Sequence, residues 1–163
     1  MTWLPDPLHP AVVHFVVALS FLALFFELLT LHPKVRQLSP VVPILLVLAA
    51  LAAVAAVLSG EAAHDEAVIP QAAKALVEQH EELGEKVMVG LIVLAVVRLV
   101  LWRMERLATW VRAVWLLLLL AAAAAVGYNG MLGGELVFQH GVGTQLTLKG
   151  TPAPAEGEHL EDQ

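Results

Sequence analysis

Four apolar stretches, at 11–31, 41–58, 87–102 and 110–127, decide what this 163-residue chain can become. A helix needs about 17–25 mostly apolar residues to cross the hydrocarbon of a bilayer. The third stretch is short, but the amphipathic segment before it can extend the same helix. Backbone N–H and C=O groups have no water to bond in hydrocarbon, so each span must be helical. Composition agrees: 59% of the residues are hydrophobic, against about 45–50% in a soluble domain.

The expected fold is therefore all-α, an integral membrane four-helix bundle lying in the lipid bilayer. Its helices are expected at about 11–31, 41–64, 71–104 and 108–128, with a short cap at 134–140. Together they form one domain, 1–149, and the acidic, proline-containing tail 150–163 is expected to be disordered. Pro10 and Pro40 sit where helix starts tolerate proline, and Pro43 falls in a first turn. His32-Pro33 stops the first helix, because a residue before proline avoids the α region. Tyr128-Asn129-Gly130-Met131-Leu132-Gly133-Gly134 reads as a turn-rich segment. No A-x-A cleavage site follows the first apolar run, so that run is expected to be retained. No internal repeat is evident.

Charge orients the helices. Lys34, Arg36, Arg103, Arg106 and Arg112 collect at one end, with Arg98 a turn inside; Lys74, Lys86 and Lys149 lie at the other. Short loops rich in lysine and arginine stay in the cytoplasm. Both termini are then outside, on the periplasmic side of a bacterial membrane. The net charge of −6 without a basic patch offers nothing to nucleic acid. The absence of cysteine excludes disulfides, thiolate metal sites and covalent haem attachment.

Five of the seven histidines gather at the outer end once the helices are placed: His9, His14, His64, His80 and His140. His14 lies within an apolar run and is expected to face the bundle interior, since an ionisable group in a span avoids lipid. Glycines and alanines crowd the same outer half, leaving room for a flat cofactor. Haem b takes axial ligands from opposite sides of the ring, often two histidines on different helices. His14, His64, His80 and His140 come from four elements and suit one or two such haems. Lys86, Tyr128 and Asn129 are candidates to meet the propionates. His9 is assigned to the surface or to a supporting position.

The same four histidines are candidate ligands for a non-haem metal, copper, zinc or iron. Glu61-x-x-His64 has the spacing of di-iron bundles, but the second copy those bundles need is missing. A cofactor-free structural subunit is the third alternative. Glu78–Glu85 reads as a solvated helix face. No G-x-S-x-G, H-E-x-x-H or phosphate loop is present, so an electron carrier or subunit is expected rather than a stand-alone enzyme. Glu27 and Arg98 are lone charges inside spans and are expected to pair, because an unpaired charge there costs about 3 kcal/mol.

The opening His9-Pro10-x-x-x-His14-Phe15 and the closing Gly133-Gly134-x-Leu136-Val137-x-x-His140-Gly141-Val142-Gly143 resemble a bacterial family. It is the four-helix membrane family called domain of unknown function 2231, and the resemblance covers most of residues 8–145. It implies an integral protein of the bacterial inner membrane set among respiratory electron-transfer components. A membrane-bound haem b carrier is the expectation that follows. Its candidate partners are a periplasmic electron carrier or respiratory complex, a quinone, and further copies of the chain.

Overall fold

The computed structural model describes residues 8–104 and 109–144. Four α-helices dominate them: α1 (His9–Leu29), α2 (Val41–Glu66), α3 (Lys74–Arg103) and α4 (Thr109–Phe138). Short 3-10 helices at Pro33–Leu38 and Gln71–Ala73 link α1 to α2 and lead into α3. The fold is all-α, with no strand among the described residues. The expected tail and Lys149 lie outside them.

Local chemistry sets the helix ends. Pro10 stands in the first turn of α1, where its missing N–H costs nothing. Thr30 closes α1 by donating its hydroxyl to the Glu27 carbonyl at 2.8 Å. His32 then caps the first 3-10 helix, its Nδ1 accepting the Lys34 N–H at 3.3 Å. Three helical segments are long and apolar enough to cross a membrane: His9–Leu29, Val41–Asp65 and Trp110–Phe138. α3 carries its apolar residues after a charged first half.

The expected turn at 128–134 and separate cap at 134–140 do not form. α4 continues through the glycines to Phe138. Leu132 and Leu136 are buried along the same helical face, and that packing outweighs the low helix propensity of glycine. The chain reverses later, at Gly141 and Gly143, both of which have positive φ. There Val142 N–H reaches the Leu136 carbonyl and its side chain packs against Ala73, Val77 and Leu136. The closing glycines thus supply a backbone conformation that other residues rarely adopt.

Each helix packs on two neighbours: α1 on α2 and α4, and α3 on α2 and α4. Although the sequence has no evident repeat, the burial pattern recurs. Val16, Ser20, Ala23 and Glu27 face inward on α1; shifted by 71 positions, Val87, Leu91, Leu94 and Arg98 do so on α3, Val87 less deeply than the rest. Val42, Leu46, Ala50 and Ala53 are buried on α2; shifted by 73, Trp115, Leu119, Ala123 and Val126 are buried on α4. The α1–α2 and α3–α4 hairpins therefore share one register of burial. Their residue identities differ, and only the register of burial is repeated.

Equivalent positions meet across the centre. Arg98 Nε donates to Glu27 Oε2 at 2.9 Å, with both side chains about 95% buried. Arg98 Nη2 also donates to Ser39 Oγ at 3.1 Å, and the guanidinium lies 5.9 Å from the Trp115 ring centroid. The pairing expected for these lone charges is present. Removing one partner strands the other, so Arg98→Met and Glu27→Gln should each lower unfolding stability by about 3–5 kcal/mol. The double variant should lose less than the sum of the two. Unfolding in mixed micelles measures all three; strictly additive losses would mean that the charges do not interact.

Candidate functional site

At the end where α1 and α3 begin and α2 and α4 finish, a second pair of equivalent residues meets. The imidazole centroids of His9 and His80 lie 6.3 Å apart, with ring planes at 90°. Each histidine precedes the charged residue of its own helix by 18 positions, 9 to 27 and 80 to 98.

The two rings are held alike. His9 Nδ1 donates to the Ala56 carbonyl of α2 at 2.8 Å and lies 3.3 Å from Ser59 Oγ. His80 Nδ1 donates to the Asn129 carbonyl of α4 at 3.1 Å. A carbonyl can only accept, so each Nδ1 carries a proton, and in the neutral imidazole Nε2 keeps a lone pair. One turn beyond each carbonyl stands a glycine, Gly60 under His9 and Gly133 under His80. A Cβ at either glycine would sit 3.1 Å from the imidazole Cε1, so a side chain there would push the ring away.

Burial holds His80 below the ordinary imidazole value of 6.5. The Asn129 carbonyl opposes that shift, the charge of protonated His9 adds to it, and Glu81 opposes it. His80 is therefore a neutral nitrogen donor at pH 7. Donating Nδ1–H to a backbone carbonyl is also the usual way a ligating histidine is oriented and its basicity raised.

Sequence reasoning placed His9 at the surface or in a supporting position and His14 inside, whereas in the structure His9 is half-buried and His14 exposed. The inward face of α1 runs through Val16, two turns after His9. His14 stands two residues before Val16, about 200° around the helix. It is exposed, and its Nδ1 donates to the Pro10 carbonyl of its own helix. His64 is exposed and paired with Glu81, linking the end of α2 to α3. His140 is half-buried in the turn after α4. Among the described residues no three His, Cys, Asp or Glu side chains form a metal cage, so the four expected ligands are not gathered into one. The equal spacing of histidine and charge on the first and third helices was the signal that would have found His9.

The three expected propionate contacts have other partners. Lys86 is exposed and paired with Glu82 at 2.7 Å, which lowers the Glu82 pKa. Tyr128 accepts a hydrogen bond from Gln79 at 3.3 Å. Asn129 supplies the carbonyl under His80, while its amide nitrogen faces Gly84 and its Oδ1 is buried with no hydrogen-bond partner among the described residues.

The family model for domain of unknown function 2231, described as a predicted membrane protein, matches residues 5–146. The chain belongs to that family. The match spans both hairpins and the closing glycine turn. No curated protein and no solved structure matches the chain.

The glycine shelf yields a sharp contrast between neighbours. Gly133→Ala should displace His80 and cost about 1–3 kcal/mol. Gly134→Ala meets nothing within 4 Å and should be neutral or stabilising by up to about 1 kcal/mol. Thermal melts in one detergent compare them; equal melting temperatures would contradict the shelf.

Proposed function

We propose that the chain is a membrane-bound haem b electron carrier whose axial ligands are His9 and His80. The observation that carries this reading is the pair of rings 6.3 Å apart, each with Nδ1–H tied to a backbone carbonyl and, when neutral, Nε2 left as a donor. Imidazole nitrogens bound at about 2.0 Å on opposite sides of a metal hold the ring centroids about 6 Å apart. The separation here is 6.3 Å.

The number of donors favours haem over a bare metal ion. Zinc and copper sites take three or four protein ligands, whereas haem b brings four nitrogens and needs two more. A pair of histidines with no third ligand beside it among the described residues suits the second case. When bound, haem supplies a one-electron iron couple. The chain's own share is to orient the rings through Ala56 and Asn129, to keep His80 neutral by burial, and to leave space through Gly60 and Gly133.

In this reading the four helices form an antiparallel bundle in the inner membrane, with α3 as the fourth span. The arginine-bearing end faces the cytoplasm and the histidine end faces the periplasm, as the distribution of basic residues supports. Both termini are then periplasmic, and the haem lies within reach of a periplasmic carrier or respiratory complex. Alkaline phosphatase fused after residue 163 should be active; an inactive fusion alongside a fluorescent cytoplasmic one would invert the topology.

Visible spectra of the purified protein, expressed with adequate haem, test the cofactor. A Soret band and a sharp α band after dithionite are expected. His9→Ala and His80→Ala should each abolish the low-spin spectrum, while His14→Ala and His140→Ala should retain it. A chain that purifies without haem, or one that loses it only in the His14 variant, would refute the assignment.

A further inference from the structure

At the end of the bundle opposite the histidines, Arg98 touches two helices at once. Its Nη2 donates to Ser39 Oγ, just before α2, at 3.1 Å, and its guanidinium lies 5.9 Å from the Trp115 ring of α4. Two further arginines stand one turn nearer the bundle's end. The Arg36 carbonyl accepts the Ser39 N–H at 3.0 Å, and Arg112 precedes Trp115 by three positions in the first turn of α4. Arg36 and Arg112 therefore flank the mouth below which Arg98 is buried, one on the α2 side and one on the α4 side.

Their charges have no counter-ion among the described residues. The one carboxylate described at this end is Glu27, and Arg98 holds it at 2.9 Å. Neither α2 nor α4, both of which begin here, has an acidic residue in its first turn. Lys34 and Arg103 add exposed positive charge. Arg112 is the most constrained of the group. It is half-buried, shares a helical stripe with the buried Trp115 and Leu119, and lies inside the apolar span Trp110–Phe138. A guanidinium so placed calls for an anionic partner.

We propose that Arg36 and Arg112 bind the phosphate of an anionic phospholipid at this mouth. Depth and charge select that occupant. Trp102 and Trp110 are exposed at the same end, and indole rings of membrane proteins settle at the level of the headgroups. The two arginines thus lie at the plane of the lipid phosphates. A guanidinium stays charged and its fork of N–H donors matches phosphate oxygens. Basic groups between helices at a membrane surface hold acidic headgroups in this way. A zwitterionic lipid brings an ammonium group beside its phosphate and so meets Lys34 and Arg103 less favourably. None of this depends on the haem reading.

Native mass spectrometry of the full chain, released from maltoside micelles, tests the site. The protein is titrated with diphosphatidylglycerol, with phosphatidylcholine and with inorganic phosphate. Diphosphatidylglycerol should be retained in preference to phosphatidylcholine, and inorganic phosphate should not displace it. Arg36→Gln and Arg112→Gln should each weaken its binding by about fivefold. Lys74→Gln, which removes an exposed lysine at the opposite end, should leave binding unchanged. With no lipid added, neither arginine variant should melt below the parent, because neither loses an internal ion pair. Equal retention of the two lipids, affinities indifferent to both arginine substitutions, or an equal loss in Lys74→Gln would overturn the site. Displacement by inorganic phosphate would remove the lipid as its occupant. A lipid-free Arg112→Gln that melts well below the parent would reveal an internal partner for that arginine and end its assignment to lipid.

Discussion

Charged side chains inside the spans of a membrane protein need partners within the molecule, and Glu27 and Arg98 find each other across its centre. Glu27 and Arg98 are each almost wholly buried, and each is tolerable only because the other is present. Ser39 and the Trp115 ring complete the surroundings of the guanidinium. Since the pair joins α1 to α3, it fixes the helix rotation that turns His9 and His80 toward each other 18 positions away. The ion pair at one end thus sets the phase of the site at the other.

The same arrangement explains why two hairpins of unlike sequence can share one packing register. A hairpin pairing with an identical copy would set glutamate against glutamate, or arginine against arginine. Placing one sign on each hairpin makes the pair heterologous and excludes those matches by like-charge repulsion. At the histidine end identity is kept, with His9 and His80 each tied through Nδ1 to a carbonyl of the following helix. At the lateral seams it is lost, with Leu19 on one side and Gly90 on the other. Likeness between the hairpins is thus kept at the centre and lost at the lateral seams.

Much of this was legible in the residues. Apolar length gave the first three helices to within a few positions, although α4 runs ten residues past its expected end, and the need for charge neutralisation gave the Glu27–Arg98 pair. The gathering of histidines at one end followed from helix direction alone. Helix phase was not legible. A span surrounded by lipid is apolar on every face, so its pattern does not separate core-facing from lipid-facing positions. That is why His14, inside the apolar run, looked buried and His9, at its edge, looked exposed. The glycines of α4 misled for a related reason. In water they mark turns, but here Gly133 is a helical position kept small to seat His80. The repeat escaped notice because it lies in burial, with scarcely an identity to carry it.

If His9 and His80 hold one haem as proposed, their imidazole planes are crossed on it. Low-temperature electron paramagnetic resonance of the ferric protein reads that angle directly. Perpendicular rings, as observed at 90°, predict a highly anisotropic low-spin signal that disappears in both His9→Ala and His80→Ala. A high-spin signal, a rhombic signal of parallel rings, or a low-spin signal that survives both substitutions would contradict it.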